Sequence, residues 1–370
     1  MIRAEEEIWR CALSLCLRHE GGLARRLYDH YGSAAAVFQE PVTELVRHRG
    51  VRRTLLEKMT DPGIRELAVR ETEWLRKYHI RTLFLYDEEY PCRLRECADA
   101  PLLLYAAGPL DMNTGPVLAV VGTRSATPYG KSLCSQIING FSPLGIRPVV
   151  VSGLAFGIDI TAHKAALENN FPTIAVLPTG IDTIYPATHR DTAAEITRQG
   201  AVVSEFPSST QGARHNFLQR NRIIAGLADA TLVVESKADG GALITAHLAC
   251  DYARDVLAVP GRPADTCSAG CNELIKMNKA ALVTCAEDVA DILGWEKPRK
   301  NKNTLQKELF DSLDQKERLV LNGIRETGGD INAMAESLGL PFPELSALIT
   351  TLQVKGLVEC MENKEYRSLL

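Results

Sequence analysis

The 370-residue chain has no stretch approaching the ~20 apolar residues that a membrane span needs, so no membrane segment is expected. It opens MIRAEEEIWR, with three acids and no apolar core, which argues against a secretory leader and for the cytoplasm. None of its ten cysteines forms a C-x-x-C pair. The close pairs Cys11/Cys16, Cys92/Cys97 and Cys267/Cys271 lack the tight, doubled spacing of a zinc site. Free thiols in a reducing compartment, and no metal, are the expectation. Excess basic charge is missing too: 42 Lys and Arg against 46 Asp and Glu leave a net −4. That excludes a uniformly basic nucleic-acid coat and leaves room for a local patch. The dinucleotide fingerprint G-x-G-x-x-G is absent, as is G-x-x-x-x-G-K-[ST]. An NAD enzyme and a P-loop ATPase are therefore disfavoured.

What is present centres on residues 116–159, which read as strand, turn, helix, strand, turn, helix. Val117–Val121 has no polar interruption, as a strand covered on both faces requires. Gly122, Thr123, Arg124 and Ser125 turn the chain, and Pro128 suits a helix start. The second strand ends at Ser152 and Gly153, where a ribose-binding enzyme would carry an acid. Turns feeding helix N-termini offer free N–H groups to an anion, and this one adds an arginine. The plainer reading is that Gly122 and Arg124 merely shape a βα turn.

Length suggests two or three domains. Residues 1–79 look helical. Within them GGLARRLYDHYGSAAAVF is similar to a helix-hairpin-helix or SAM-like module, with Arg47, His48, Arg49, Arg52 and Arg53 as a basic cluster. That cluster is either a DNA-backbone contact or a solvated face. Residues 80–295 alternate strands and helices, predicting an α/β domain with a parallel sheet. The turns at 122–125, 152–157, 178–182, 205–212 and 235–241 should gather on its carboxyl rim. Residues 296–308 read as a basic polar linker. Residues 309–370 show three helices and a short strand pair, the order of a winged-helix domain, with Lys355 the lone base at the third helix.

Residues 214–227 bring three arginines and no acid. A cationic helix with one aromatic is the minimum for single-stranded nucleic acid: Arg meets phosphate and a base stacks on Phe217. Phe217 as a core ring, and Arg222 in a buried ion pair, are the alternatives. Catalytic groupings are weak. Asp159 and His163, one helical turn apart, can meet, but no nucleophile accompanies them, and capping is the better role for Asp159. Glu205, Glu235 and Asp239 are the rim carboxylates.

The series VVGTRSATPYG, VSGLAFGIDITAH, TIAVLPTGIDTIYP, VSEFP, FLQRNRIIAGLADATLVVE, GALITAHLA, VLAVPG and GCNELIKMNKA, in this order over residues 80–295, resembles the DNA-processing protein A (DprA, or Smf) family. The resemblance implies an extended Rossmann-like fold that binds single-stranded DNA without sequence preference. It also implies loading of a RecA-type recombinase onto incoming strands in natural transformation, and a homodimer formed through the Rossmann-like domain. It implies no catalytic residue and no cofactor. Matched position by position, the binding residues are Gly122, Thr123, Arg124, Arg214, Phe217, Arg220, Asn221 and Arg222. The chain departs from the pattern at Gly240-Gly241, at Gly270-Cys271-Asn272, and after Tyr185-Pro186, where Ala187 and His189 replace the usual polar pair. The other functions open to this sequence are a Rossmann enzyme acting on a nucleoside monophosphate and a winged-helix regulator with the sheet domain as its sensor.

Overall fold

A computed structural model describes residues 2–18, 20–296, 313–327, 329–355, 357–361 and 365–368. Short runs of β-branched and small apolar residues between turns become the strands of one sheet. These are β1 Arg81–Phe84, β2 Leu103–Ala107, β3 Val117–Val121, β4 Val149–Ser152, β5 Thr173–Val176, β6 Ala201–Ser204, β7 Ala230–Val233, β8 Asp255–Ala258 and β9 Ala281–Leu282. Their spatial order is β1-β2-β6-β5-β4-β3-β7-β8-β9. From β6 to β9 every pairing is parallel, while β1–β2 and β2–β6 are antiparallel. The order reverses beside β3: β4 lies on one side and β7 on the other. This is a Rossmann-like α/β sheet, and its crevice belongs at that switch point. The antiparallel extension by β1 and β2 and the two-residue β9 were not among the expected features.

All five residues of β3 are buried, and they alternate between two cores. Val117, Ala119 and Val121 join one cluster; Leu118 and Val120 join the other. Side chains on a strand alternate faces, so a strand covered on both sides needs apolar residues throughout. The helices Pro128–Gly140 and Ile158–Glu168 supply apolar residues to the second cluster. Arg214–Leu227 and Gly241–Asp251 supply the first.

The first cluster also takes in Leu13, Leu17, Leu23 and Leu27 from the N-terminal helices Ile2–Leu17 and Gly21–Tyr31. Polar ties reinforce this packing. Arg10 pairs with Asp87 at 3.0 Å. The buried carboxylate of Glu71, in helix Pro62–Lys77, accepts the N–H of Ser208 at 2.8 Å, on the loop after β6. The helical region and the sheet therefore share one core, and the chain divides into two compact units, Met1–Lys297 and Pro298–Leu370. The second unit has helices Gln315–Thr327, Ile331–Leu338 and Phe342–Val354, then an antiparallel pair, β10 Val358–Cys360 with β11 Tyr366–Ser368. Val320, Leu321, Met334, Leu345 and Ile349 form its core. Beyond Glu296, the expected linker lies outside the described residues. No helix among the described residues is long and apolar enough to cross a membrane.

Candidate nucleic-acid interface

A cavity of about 310 Å³ opens at the carboxyl ends of β3 and β7, on the switch point. The turn after β3 supplies Gly122, Thr123 and Arg124; helix Arg214–Leu227 supplies Phe217, Arg220 and Asn221; the loop after β7 supplies Ser236, Lys237 and Asp239. Thr123 N–H donates to Glu235 O at 2.7 Å and closes the β3 turn onto the β7 loop. Gly122 lets the turn pack against the start of helix Ile158–Glu168, since a Cβ there would lie 2.4 Å from Ile158 Cγ1. Thr127 caps the following helix and places Pro128 at its first position, as the sequence suggests.

Arg124 is exposed, and its guanidinium carbon lies 4.9 Å from the centre of the half-buried Phe217 ring. Tyr185 meets Phe217 edge to face, with ring centres 5.5 Å apart. A cation beside an accessible aromatic face is the apparatus that engages a phosphate and stacks a base together. Arg214 is exposed at the start of the same helix, outside the cavity lining, and holds no ion pair among the described residues. Lys237 is an exposed cation on the cavity wall that sequence reasoning did not single out; its signal was the Gly-rich segment of residues 235–241.

Arg220 forms the floor. It is buried, and its Nη1 lies 3.9 Å from Asp159 Oδ2. Gly153 explains the missing ribose acid: a Cβ there would sit 1.3 Å from Arg220 Nη1. The end of β4 has been cleared for a cation supplied by another helix. Burial pushes the Arg220 guanidinium down to about 10, a shift that Asp159 opposes and Arg124 adds to. Burial raises the Asp159 carboxyl, while Arg220 and the Ala155 N–H hold it down. Asp159 accepts that N–H at 3.4 Å; it lies in the first turn of helix Ile158–Glu168, but Ala155 precedes the helix, so this bond and the pairing with Arg220 take the place of the expected capping role. It does not meet His163, whose Nδ1 lies 2.7 Å from Thr173 Oγ1.

Arg222 is a correction. Its guanidinium pairs with the fully buried Glu205 and donates to the Asp99 carbonyl, well inside the protein and outside the cavity lining. Two residues along an α-helix turn by about 200°, so Arg220 and Arg222 face opposite ways. Grouping the three arginines as one cationic segment ignored that period. Asn216 is also internal, donating to the Pro178 and Gln211 carbonyls at 3.1 and 3.2 Å. His189 faces inward, its Nδ1 2.8 Å from Leu154 O.

The rim carboxylates are mostly committed. Glu235 accepts the N–H of Thr127 at 2.9 Å and its hydroxyl at 2.7 Å, and Glu205 serves Arg222. Asp239 alone of the three is exposed.

The model of the family described as DNA recombination-mediator protein A matches residues 81–294, the sheet and its cavity. The chain belongs to that family. A putative DNA processing protein DprA of Mycobacterium tuberculosis (strain ATCC 25618 / H37Rv) is 34% identical over 335 residues, covering 87% of this chain and 83% of the relative. The X-ray structure of DNA processing protein A from Streptococcus pneumoniae superposes with a TM-score of 0.61 at 32% identity, over 78% of this chain and 97% of that one. A Helicobacter pylori DNA processing protein A, whose structure is described for its single-stranded DNA binding mode, gives 0.52 at 29% identity, over 58% and 95%. Family relatives are thus described as DNA-processing proteins, and one as a single-stranded DNA binder.

Proposed function

We propose that this protein binds single-stranded DNA across the switch-point rim and passes it to a RecA-type recombinase during natural transformation. It acts in the cytoplasm, as a homodimer formed through the Rossmann-like domain, without a catalytic step. The observation that carries the binding reading is the Arg124–Phe217 pair at the mouth of the cavity. Gly122 and Thr123 shape the turn that presents Arg124. Arg214 and Lys237 add exposed charge nearby, and Arg220 supplies a fixed positive floor. Asn221 lines the same wall and can bond a base or sugar. The recombinase, the dimer and the transformation setting rest on family membership.

The test is a salt titration of binding to oligothymidylate. Affinity should fall on a log–log plot with a slope of about −0.7 for each phosphate neutralised. A flat plot overturns the phosphate groove. Recombinase loading is checked by whether the protein speeds filament assembly on strands already coated by a single-strand-binding protein; no acceleration removes that part of the proposal.

A further inference from the structure

Strand order sets the loops that follow β3, β4, β5 and β6 side by side along one rim, with neighbouring strands about 4.8 Å apart. After β3 comes Arg124. Each of the next three segments carries an aromatic ring that the core does not take. Phe156, after β4, is 49% exposed; Tyr185, after β5, is 47% exposed; Phe217, after β6, is half-buried. Large rings are normally drawn inside, and two exposed rings on adjacent loops, with a third on the following helix at the cavity wall, call for a reason.

These loops are fastened to one another. Gly157, beside Phe156, has φ +78°, and a Cβ there would come within 2.2 Å of Thr123 O and 2.7 Å of Arg124 O. The Phe156 loop is thus pressed against the turn that bears Arg124. The His189 ring backs Phe156 edge to face at 4.9 Å. Gly180 N–H donates to Thr210 O at 2.9 Å, and Asp182 accepts the Ser209 N–H at 2.9 Å, joining the loops after β5 and β6. The rings are held in place before any ligand arrives, which lowers the ordering cost of stacking.

We propose that Phe156, Tyr185 and Phe217 form a row of stacking platforms for successive unpaired bases, with Arg124 on the backbone, and that this row is what makes the site select single strands. The inference rests on the single-stranded-DNA reading above and adds the path and the basis of selectivity. Every base has a π-face, so the row is indifferent to sequence. In a duplex those faces are stacked on neighbouring bases and out of reach.

The experiment compares binding of a short oligothymidylate with that of a copy carrying consecutive abasic sites, for the unaltered protein and for Phe156→Ala, Tyr185→Ala and Tyr185→Phe. Each ring removed should weaken binding of the normal oligonucleotide roughly 5- to 150-fold, with the salt slope unchanged. Tyr185→Phe keeps the ring and should bind as the unaltered protein does. The abasic copy should bind weakly to all four. Equal affinity of the unaltered protein for the two oligonucleotides overturns the row, and that comparison needs no variant to fold. Full affinity of both alanine variants for the normal oligonucleotide overturns it as well. Absence of any binding to oligothymidylate overturns the underlying reading, which base-blind binding does not.

Discussion

On one side of helix Arg214–Leu227, Arg214, Phe217 and Asn221 look out over a rim where Arg124 waits in solvent. On another side, Arg222 and Ile223 are sealed into the core, with Glu205 as the arginine's counter-ion. The two sides carry the same charged residue type and do opposite things with it. At the rim, water screens the charge, so a cation can stand without a partner and stay available to a phosphate. In the interior, an unpaired guanidinium would cost several kcal/mol, so it is committed to a carboxylate and a carbonyl. Arg220 lies between these cases, buried yet lining the cavity, with its nearest carboxylate oxygen at 3.9 Å.

The largest effect that separates the two sides is expected at Arg222. Arg222→Ala leaves the Glu205 carboxyl without its partner in the core and should cost about 3–5 kcal/mol of stability, read as a lower midpoint in denaturant. The pair replaced together, Arg222→Met with Glu205→Leu, should recover most of that loss. A stable Arg222→Ala protein that binds DNA poorly would instead return Arg222 to the interface and break the contrast.

Next in size is Phe217→Ala. It should weaken single-stranded DNA binding by ~1–3 kcal/mol while leaving the salt slope in place. Full burial would have made truncation cost about 3–5 kcal/mol of folding stability, so thermal melting tells whether this ring belongs to the rim or to the core.

A third measurement reads how dry the ground beneath Arg220 is. Burial, with Arg220 and His189 adding to it, pushes the His163 imidazole down to about 3 from its ordinary 6.5. Between those values the unfolded chain holds a proton that the folded chain refuses. Stability from this group is therefore complete above about pH 6.5 and is lost as pH falls toward 3, at up to about 1.4 kcal/mol per pH unit. Denaturant midpoints at pH 7 and pH 5 should differ by more for the unaltered protein than for His163→Gln. Equal differences would mean that His163 titrates normally and that water reaches the floor.

Smallest is Arg124→Lys. Charge is kept, so the salt slope should not move, but the planar contact with Phe217 is lost, at about 0.5–1 kcal/mol of affinity. Unaltered affinity would show that Arg124 acts as a point charge only.

Much of the fold could be read from the chain, because the physics involved is local. Val117–Val121 is apolar at every position, and a run that short between turns has few options besides a doubly covered strand. Pro128 suits a helix start, and the helix begins there. The two-residue β9 escaped because so short a segment has no period to detect. The placement of β1 and β2 was hidden for another reason: β2 carries the pair into the sheet by pairing with β6, some hundred residues away, and that partnership is not written in β2 itself.

Within the site, residue type and neighbourhood pointed to Gly122, Arg124 and Phe217, and the family resemblance added Thr123; all four line the cavity. Residue type could not sort Arg220 from Arg222. Their identical chemistry is divided by the helical period and by what each side of the helix meets, and the partners come from the start of helix Ile158–Glu168 for Asp159 and the end of β6 for Glu205. Nor could it show that Gly153 is vacant ground for Arg220, since that need exists only once helix Arg214–Leu227 lies across the end of β4. The sequence alone determined the alternating strands, the turns and the kinds of group on the rim, because hydrophobic period and turn chemistry act between neighbours in the chain. Only the tertiary structure decided which cations face the rim and which face the core, because solvation and charge pairing depend on neighbours in space.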